Sequence, residues 1–541
     1  MKSWIIRLVA LCLAVCLLLG GCVMPDLKSF WQDLQAVIQA GMITPFAEME
    51  YTRPDGEKVV AQAAKASDLS KTKISADALM EEVYTCYEIY YDFYTNYMLA
   101  NIHYCTDMTD AYWEAEYNHC LDSSAQVTAA MDSLLYELAD SDYREELEQD
   151  DFFGEGFFDE YRGNSLWDEA FTALMDQEAE LLAEYYTLSG LAMEEQSYTD
   201  EYFKTWGQQF ETLFLQLVKL RQEIARHAGY DNYLEFAYDF YFHRDYTPQE
   251  AAAYLTEIRQ ELSGLYTAIP SQLWSTGRKA ATEEQTLSYV EAFSAKMGGT
   301  VADAFSLMKD AGLYNISVSS KKYPASFEVY LPSYFTPYIF IDAQGTVNDR
   351  LTLTHEFGHF CSDYAASGSA AGIDVAEVFS QAMEYLSLCY TENVEDLKKM
   401  KLADSLSLMV EQAAYASFEH QLYAITDPDI TIDDIRAIYQ QVGAESGFLA
   451  WGRDWRDYIM IPHFFTDPLY IISYVVSNDA AMQIYAAEQN AQGEGLGILE
   501  KSLPTQQAYF LAYMEEAGLR SPFLPGRAKE LAEIYQNGIW S

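Results

Sequence analysis

The sequence predicts a mostly α-helical protein with one small β-sheet, and three observations carry that prediction. Apolar and aromatic residues recur at three- and four-residue intervals over long stretches, as in Tyr84, Tyr87, Tyr91 and Tyr97. Gly and Pro are scarce inside those stretches. Strand-like runs of β-branched and aromatic residues stand out in one passage, between Phe327 and Asp342. The chain has 541 residues, half of them apolar, enough for a large core or for two lobes meeting across a cleft.

At the N-terminus, Lys2 and Arg7 flank or enter an apolar run, Trp4 to Ile6 and then Leu8 to Leu19, which ends in Gly20-Gly21-Cys22. Charge, apolar stretch and small residues in that order describe an export signal. The run falls short of the roughly 20 residues that a spanning helix needs. Leu19-Gly20-Gly21-Cys22 resembles the bacterial lipobox, in which the signal is cut before the cysteine and that cysteine is lipidated. Residues 1–21 are therefore expected to be a lipoprotein signal peptide, with Cys22 as the lipid anchor. An uncleaved N-terminal anchor is the alternative. Either way the bulk of the chain is expected outside the cytoplasm, at a membrane surface. Residues 22–75 mix Pro, Lys, Asp and Ala without strong periodicity and are expected to form a tether.

Helical patterning runs from about Asp77 to Met193 and again from Asp200 to His227, where Gly229 breaks it. Thr247 can cap a further helix with Pro248 in its first position. Two strands follow, Phe327 to Leu331 and Tyr338 to Asp342, ended by the turn signal Gln344-Gly345. Beyond Asn348 the pattern is helical again.

The charge balance, 33 basic against 83 acidic residues or −50 in total, repels phosphate backbones and argues against nucleic acid as a partner. It fits a solvated acidic surface, and also some preference for cationic peptides. Beyond the signal the cysteines are Cys86, Cys105, Cys120, Cys361 and Cys389. Their odd number and lack of paired spacing argue against a disulfide framework, and they read as small buried residues. His103, His119, His227, His243 and His420 have no partner pattern and read as structural or exposed.

The segment Thr352 to Phe360 contains His355-Glu356-Phe357-Gly358-His359, an H-E-x-x-H pattern. Residues four apart on a helix share a face, about 5–6 Å from one another. Two imidazoles so placed can reach one zinc ion at roughly 2.0–2.1 Å. Glu356, slightly aside, can take a proton from the attacking water. Asn348 or Asp349 would cap this helix, and Gly358 lets another segment pack closely. Catalytic zinc normally has three protein ligands, and the next helix offers Glu377 in its first turn, behind Asp374 as cap. Gln381 and Glu384 continue the same face. Glu377 is the expected ligand and Glu384 a carboxylate that orients a histidine; the alternative makes Glu384 the ligand.

With these residues the sequence resembles the thimet oligopeptidase and oligoendopeptidase F family of zinc metallopeptidases. The H-E-F-G-H motif, followed by Ala376-Glu377-Val378-Phe379-Ser380-Gln381 and Glu384, looks like that family's metal site. Ala225 to Tyr233, with Arg244-Asp245-Tyr246-Thr247, is similar to the segment preceding its catalytic region. Pro337 to Ile341 looks like its substrate-side strand, and Thr109 to Tyr112 with Glu114 and Glu116 is similar to its N-terminal lobe. The likeness spreads over roughly residues 80 to 535. Ile461-Pro462-His463 through Tyr470 to Tyr474 resembles its histidine-plus-tyrosines segment, in which these side chains stabilise the tetrahedral intermediate. Tyr470 and Tyr474 are four apart, so one helical face can present both phenols, with His463 just before that helix.

The resemblance implies a two-lobed helical zincin with a deep channel and a small β-sheet beside the zinc helix. Residues 76–200 would be the N-terminal helical lobe and 201–541 the metallopeptidase domain. It implies a Zn2+-dependent endopeptidase for short peptides at the outer face of the membrane, with Glu356, His463, Tyr470 and Tyr474 catalytic. Peptide would lie extended, pairing with the strand around Tyr338 to Ile341. A related helical zinc carboxypeptidase or dipeptidase is the nearer alternative, and a non-catalytic peptide-binding lipoprotein the farther one.

Overall fold

The computed structural model describes residues 43–150, 152–154, 156–159, 161, 169–193, 200–368, 371–447 and 456–540. The expected signal peptide and Cys22 lie outside the described residues. None of the described helices is long and apolar enough to cross a membrane.

The first three long helices are α1 (Gly56–Ser70), α2 (Ala76–Thr106) and α3 (Ala111–Ala139). Ser75 caps α2 and Asp110 caps α3, each accepting from the backbone amides of the first turn. α1 packs on both. Val59, Ala63 and Ala66 of α1 close a small hydrophobic core with Leu79, Val83 and Leu134, a core that extends to Phe158. The expectation of a tether over residues 22–75 is corrected here: from Gly56 the chain is folded. Its periodicity is hard to read because the buried positions are mostly Ala, Val and Gly rather than large apolar residues.

The rest of the molecule shares one large core. α4 (Glu169–Met193) packs on α5 (Gln208–His227) and so belongs to this larger body rather than to the N-terminal lobe in which residues 76–200 placed it. Gly229, at φ 88°, ends α5 as expected. α6 (Pro248–Thr267) opens with Pro248 and a full capping box between Thr247 and Glu250. α7 (Glu283–Met297) and α8 (Gly299–Asp310) then lead into the sheet.

The sheet has the order β1 (Tyr314–Asn315), β3 (Thr336–Phe340), β2 (Phe327–Leu331); β1 runs parallel to β3, and β2 antiparallel to it. Lys322 fastens one end, its ammonium donating to the carbonyl oxygens of Ser317 and Ile341. β3 is central and wholly buried, so it cannot accept an added peptide strand along its length. The expected pairing around Tyr338 to Ile341 is thereby corrected, and the edge strands are the two-residue β1 and the longer β2.

The longer helices that follow among the described residues are α9 (Asn348–Ala366), α10 (Ile373–Cys389), α11 (Glu395–Tyr423), α12 (Ile432–Ser446), α13 (Ile472–Asn490), α14 (Glu494–Ser502) and α15 (Arg527–Trp540). α9 lies against β2 and β3 on one side and against α10 on the other, and α10 packs on α13. Cys86, Cys105, Cys120 and Cys361 are buried free thiols and Cys389 a partly buried one. His103 stacks on Trp113, and His420 is buried against the Tyr238 hydroxyl.

Candidate metal centre and active site

α9 carries the H-E-x-x-H residues. Neither expected cap closes its start. Asn348 is the first helical residue, and Asp349 instead accepts from the amides of Gln344 and Thr346, tying down the turn after the sheet. His355 and His359 stand one turn apart, ring centroids 5.2 Å from each other. The ligand set depends on how closely α10 approaches. A Cβ on Gly358 would fall 2.5 Å from the Cα of Ser380 and 2.7 Å from the carbonyl oxygen of Phe379, closer than any side chain tolerates. Glycine therefore lets the two backbones touch, and the contact delivers Glu377 to the histidine pair.

One donor atom from each of His355, His359 and Glu377 lies within 4.8 Å of the other two. Glu377 Oε2 is 3.6 Å from His355 Nε2. His355 Nδ1 donates to Glu384 Oε1 at 3.0 Å, which orients the ring so that Nε2 faces Glu377. Two imidazoles and one carboxylate, their atoms a few ångströms apart and one ring oriented by a further carboxylate, fit a zinc ion. Glu377 thus lies within reach of both histidines, and Glu384 stands behind His355.

Glu356, 8% exposed, is buried beside this cluster. Burial, reinforced by the charges of Glu377 and Glu384, pushes its carboxyl up to about 7 against the pull of His355. Burial alone would lower His355, but its bond to Glu384 and the surrounding carboxylates outweigh that and push it up to about 9. For His359 burial wins and the ring falls to about 4.

The histidine-plus-tyrosines segment faces the cluster by a different route from the expected one. His463 sits in a short helix, Pro462–Thr466, and Tyr474 in the first turn of α13. Tyr470 belongs to neither; it follows Leu469, whose φ of 68° is left-handed. The two phenols are thus brought together by a turn, not by one helical face. Tyr470 Oη donates to Glu377 Oε1 at 3.0 Å, and Tyr474 Oη lies 3.2 Å from His463 Nε2. The Tyr470 ring is 5.2 Å from those of His463 and Tyr474. Burial and the Glu377 charge raise both phenols far above the ordinary tyrosine value, so they are donors at any physiological pH.

Two supports escaped the sequence. Lys401 of α11 donates to Glu384 Oε2 at 2.6 Å, completing a chain from lysine to carboxylate to histidine. Lys401 stands one turn after buried Leu397 on the same helix face, which is the signal that could have found it. Arg244 joins Asp374 Oδ2 at 3.3 Å and the Ser473 hydroxyl at 3.1 Å, with its guanidinium over the rings of Phe242 and Tyr238. Tyr246 donates to the same Asp374 oxygen at 2.8 Å. Asp374 is therefore not the cap expected for α10. Gly372 occupies that position, and Asp374 turns to the arginine.

A mostly helical body with H-E-x-x-H on one helix and a glutamate brought in by the next has a zincin-like architecture. Residues 46–164 match the peptidase M3 N-terminal domain family. Solved structures extend the likeness over nearly the whole chain. A protein assigned as an oligoendopeptidase F superposes with a TM-score of 0.77 at 20% identity, over 92% of this chain and 99% of the other. PZ peptidase A, solved with an inhibitor, gives 0.77 at 18% identity over 91% and 99%. Oligoendopeptidase F from Enterococcus faecium gives 0.54 at 14% identity over 90% and 96%. These likenesses establish the fold, and the family match relates residues 46–164 to the peptidase M3 N-terminal domain. No curated protein matches the sequence significantly.

Proposed function

We propose that the chain is a zinc-dependent endopeptidase that cuts short peptides. One observation carries the reading: His355, His359 and Glu377 converge on one point, with Glu356 beside them and left free of the ligand set. Pure binding has no use for a buried base there.

A zinc ion held by His355, His359 and Glu377 supplies Lewis acidity to the scissile carbonyl and to water. The protein's own groups do the rest. Glu356, with a carboxyl raised toward neutrality, takes a proton from the attacking water and returns it to the leaving amine nitrogen. The phenol of Tyr474 and the ring of His463 donate to the carbonyl oxygen as it gains charge, and the phenol of Tyr470, bonded to Glu377 at rest, turns its one proton to that oxygen in the transition state. The edge strand β2, packed against α9, offers unpaired backbone groups to an extended peptide.

The test uses internally quenched peptides with both ends blocked. Zinc-loaded protein should cleave them internally, a chelator should stop cleavage, and Glu356→Gln should keep zinc while losing turnover. Cleavage confined to peptides with free termini would replace this reading with an exopeptidase. Location is proposed from the sequence alone: Leu19-Gly20-Gly21-Cys22 supports a lipoprotein anchored outside the cytoplasm. Mass spectrometry of the mature N-terminus should find a lipidated Cys22, and Cys22→Ala should release the protein from membranes.

A further inference from the structure

The turn that presents Tyr470 is held by a side chain that never touches the active site. Leu469 is buried, and its left-handed φ of 68° is a conformation leucine rarely adopts. Its amide donates to Glu419 Oε1 at 2.7 Å. Glu419 comes from α11 and is 1% exposed. Its other oxygen, Oε2, is buried without a hydrogen-bond partner. A buried carboxyl with that single bond is costly unless its position matters. The same segment is gripped one turn earlier. Arg221 of α5, fully buried, donates to the carbonyl oxygens of Phe464, at 3.1 Å, and Phe465. Arg221 is itself braced by Glu178 at 2.7 Å and by the Tyr423 hydroxyl at 2.9 Å, one turn along α11 from Glu419.

We propose that Glu419 is a positioning residue for the phenol of Tyr470, acting through the backbone of Leu469, while Arg221 sets the neighbouring stretch that carries His463. The proposal rests on the peptidase reading given above. A left-handed residue reverses the chain locally, and the next side chain inherits its direction. If the Leu469 amide is released, φ relaxes to negative values and the Tyr470 hydroxyl leaves Glu377.

The test is a cycle of Glu419→Leu, Glu419→Gln and Tyr470→Phe in the full-length zinc-loaded enzyme, with kcat and KM measured on one blocked quenched peptide. Glu419→Leu, which cannot accept, should lower kcat by roughly 10–100-fold with KM little changed. Glu419→Gln keeps an accepting oxygen and should hold kcat within about threefold. In the Tyr470→Phe background the Glu419→Leu loss should shrink to less than about threefold, because both changes remove the same donor. Hydrogen exchange at the Leu469 amide should accelerate in Glu419→Leu and not in Glu419→Gln. Losses that multiply across the cycle, or a Glu419→Gln as damaged as Glu419→Leu, overturn the proposal. If Glu419→Leu does not fold, Leu469→Pro removes the amide donor and forces a negative φ with Glu419 intact, and its loss must vanish in the Tyr470→Phe background. A wild-type enzyme that cleaves no peptide sinks the peptidase reading instead, and the exchange comparison then decides whether the clamp exists.

Discussion

Gly358 and Ser380 set the separation of the two helices that build the metal centre: no Cβ fits between them, since one added to Gly358 would lie 2.5 Å from the Ser380 Cα. The obstacle is backbone, which cannot swing aside as a side chain would. Gly358→Ala must therefore push α9 and α10 apart, and with them the histidines from Glu377. Overpacking of this kind costs about 1–3 kcal/mol in stability, and the displaced ligand costs more in metal affinity. The expected outcome is a folded protein with a lowered melting temperature and substoichiometric zinc, measured by calorimetry and metal analysis. Full zinc occupancy in Gly358→Ala would show that the close contact is not what aligns the ligands.

The Lys401, Glu384 and His355 chain predicts a different pattern, in which the ligands stay in place but bind less well. Lys401→Met removes the ammonium 2.6 Å from Glu384 Oε2. Deprived of that charge, the buried Glu384 carboxyl becomes easier to protonate and a weaker acceptor for His355 Nδ1. Changes behind a ligating histidine typically lower metal affinity about 10–100-fold. Competition with a zinc-buffering chelator should show that loss, and Glu384→Gln a comparable one. Unchanged affinity in both variants would reduce the chain to a packing feature.

The sequence showed the parts of this site that follow short-range rules. The H-E-x-x-H spacing and the Thr247 cap before Pro248 depend on neighbours within one turn, and the structure places both as read, whereas Glu377 falls beyond the expected first turn, as the fifth residue of α10. What it did not show depends on distant partners or on backbone geometry. Lys401 and Arg244 meet their carboxylates from other elements, and the left-handed Leu469 carries none of the residue types that favour that conformation. The rule that put Tyr470 and Tyr474 on one helix was sound for spacing four and failed because the helix starts only at Ile472. The strand order was not legible for a similar reason: that β3 sits between β1 and β2 is a fact of pairing between strands, not of either strand's composition.

Arg244 and Asp374 fix the start of α10, three residues before Glu377. Breaking a buried pair by removing one partner typically costs about 3–5 kcal/mol, because the remaining charge stays buried. Arg244→Met strips Asp374 of its cation and leaves it the Tyr246 hydroxyl. Denaturant unfolding should therefore show a large loss for Arg244→Met and a smaller one for the double variant Arg244→Met with Asp374→Asn, which removes the stranded charge. Equal losses in the single and double variants would mean that packing of the guanidinium on Phe242 and Tyr238 outweighs the ion pair.

Glu419 predicts a slope of stability against pH. Burial pushes its carboxyl up to about 8, against the opposing pull of the Leu469 amide, Arg244 and Arg221 and with the help of Asp467. An acid whose folded value is raised holds its proton more tightly in the native state. Its contribution is thus fully present below the unfolded carboxyl value of about 4.3 and is lost as pH rises through the folded value of about 8. Glu419→Gln cannot titrate, so the wild-type protein should lose stability relative to this variant between about pH 5 and pH 8. Urea midpoints across that range measure the difference directly. A difference that stays constant with pH would mean that Glu419 is already ionised in the folded protein, with Arg221 and Arg244 near enough to keep it so.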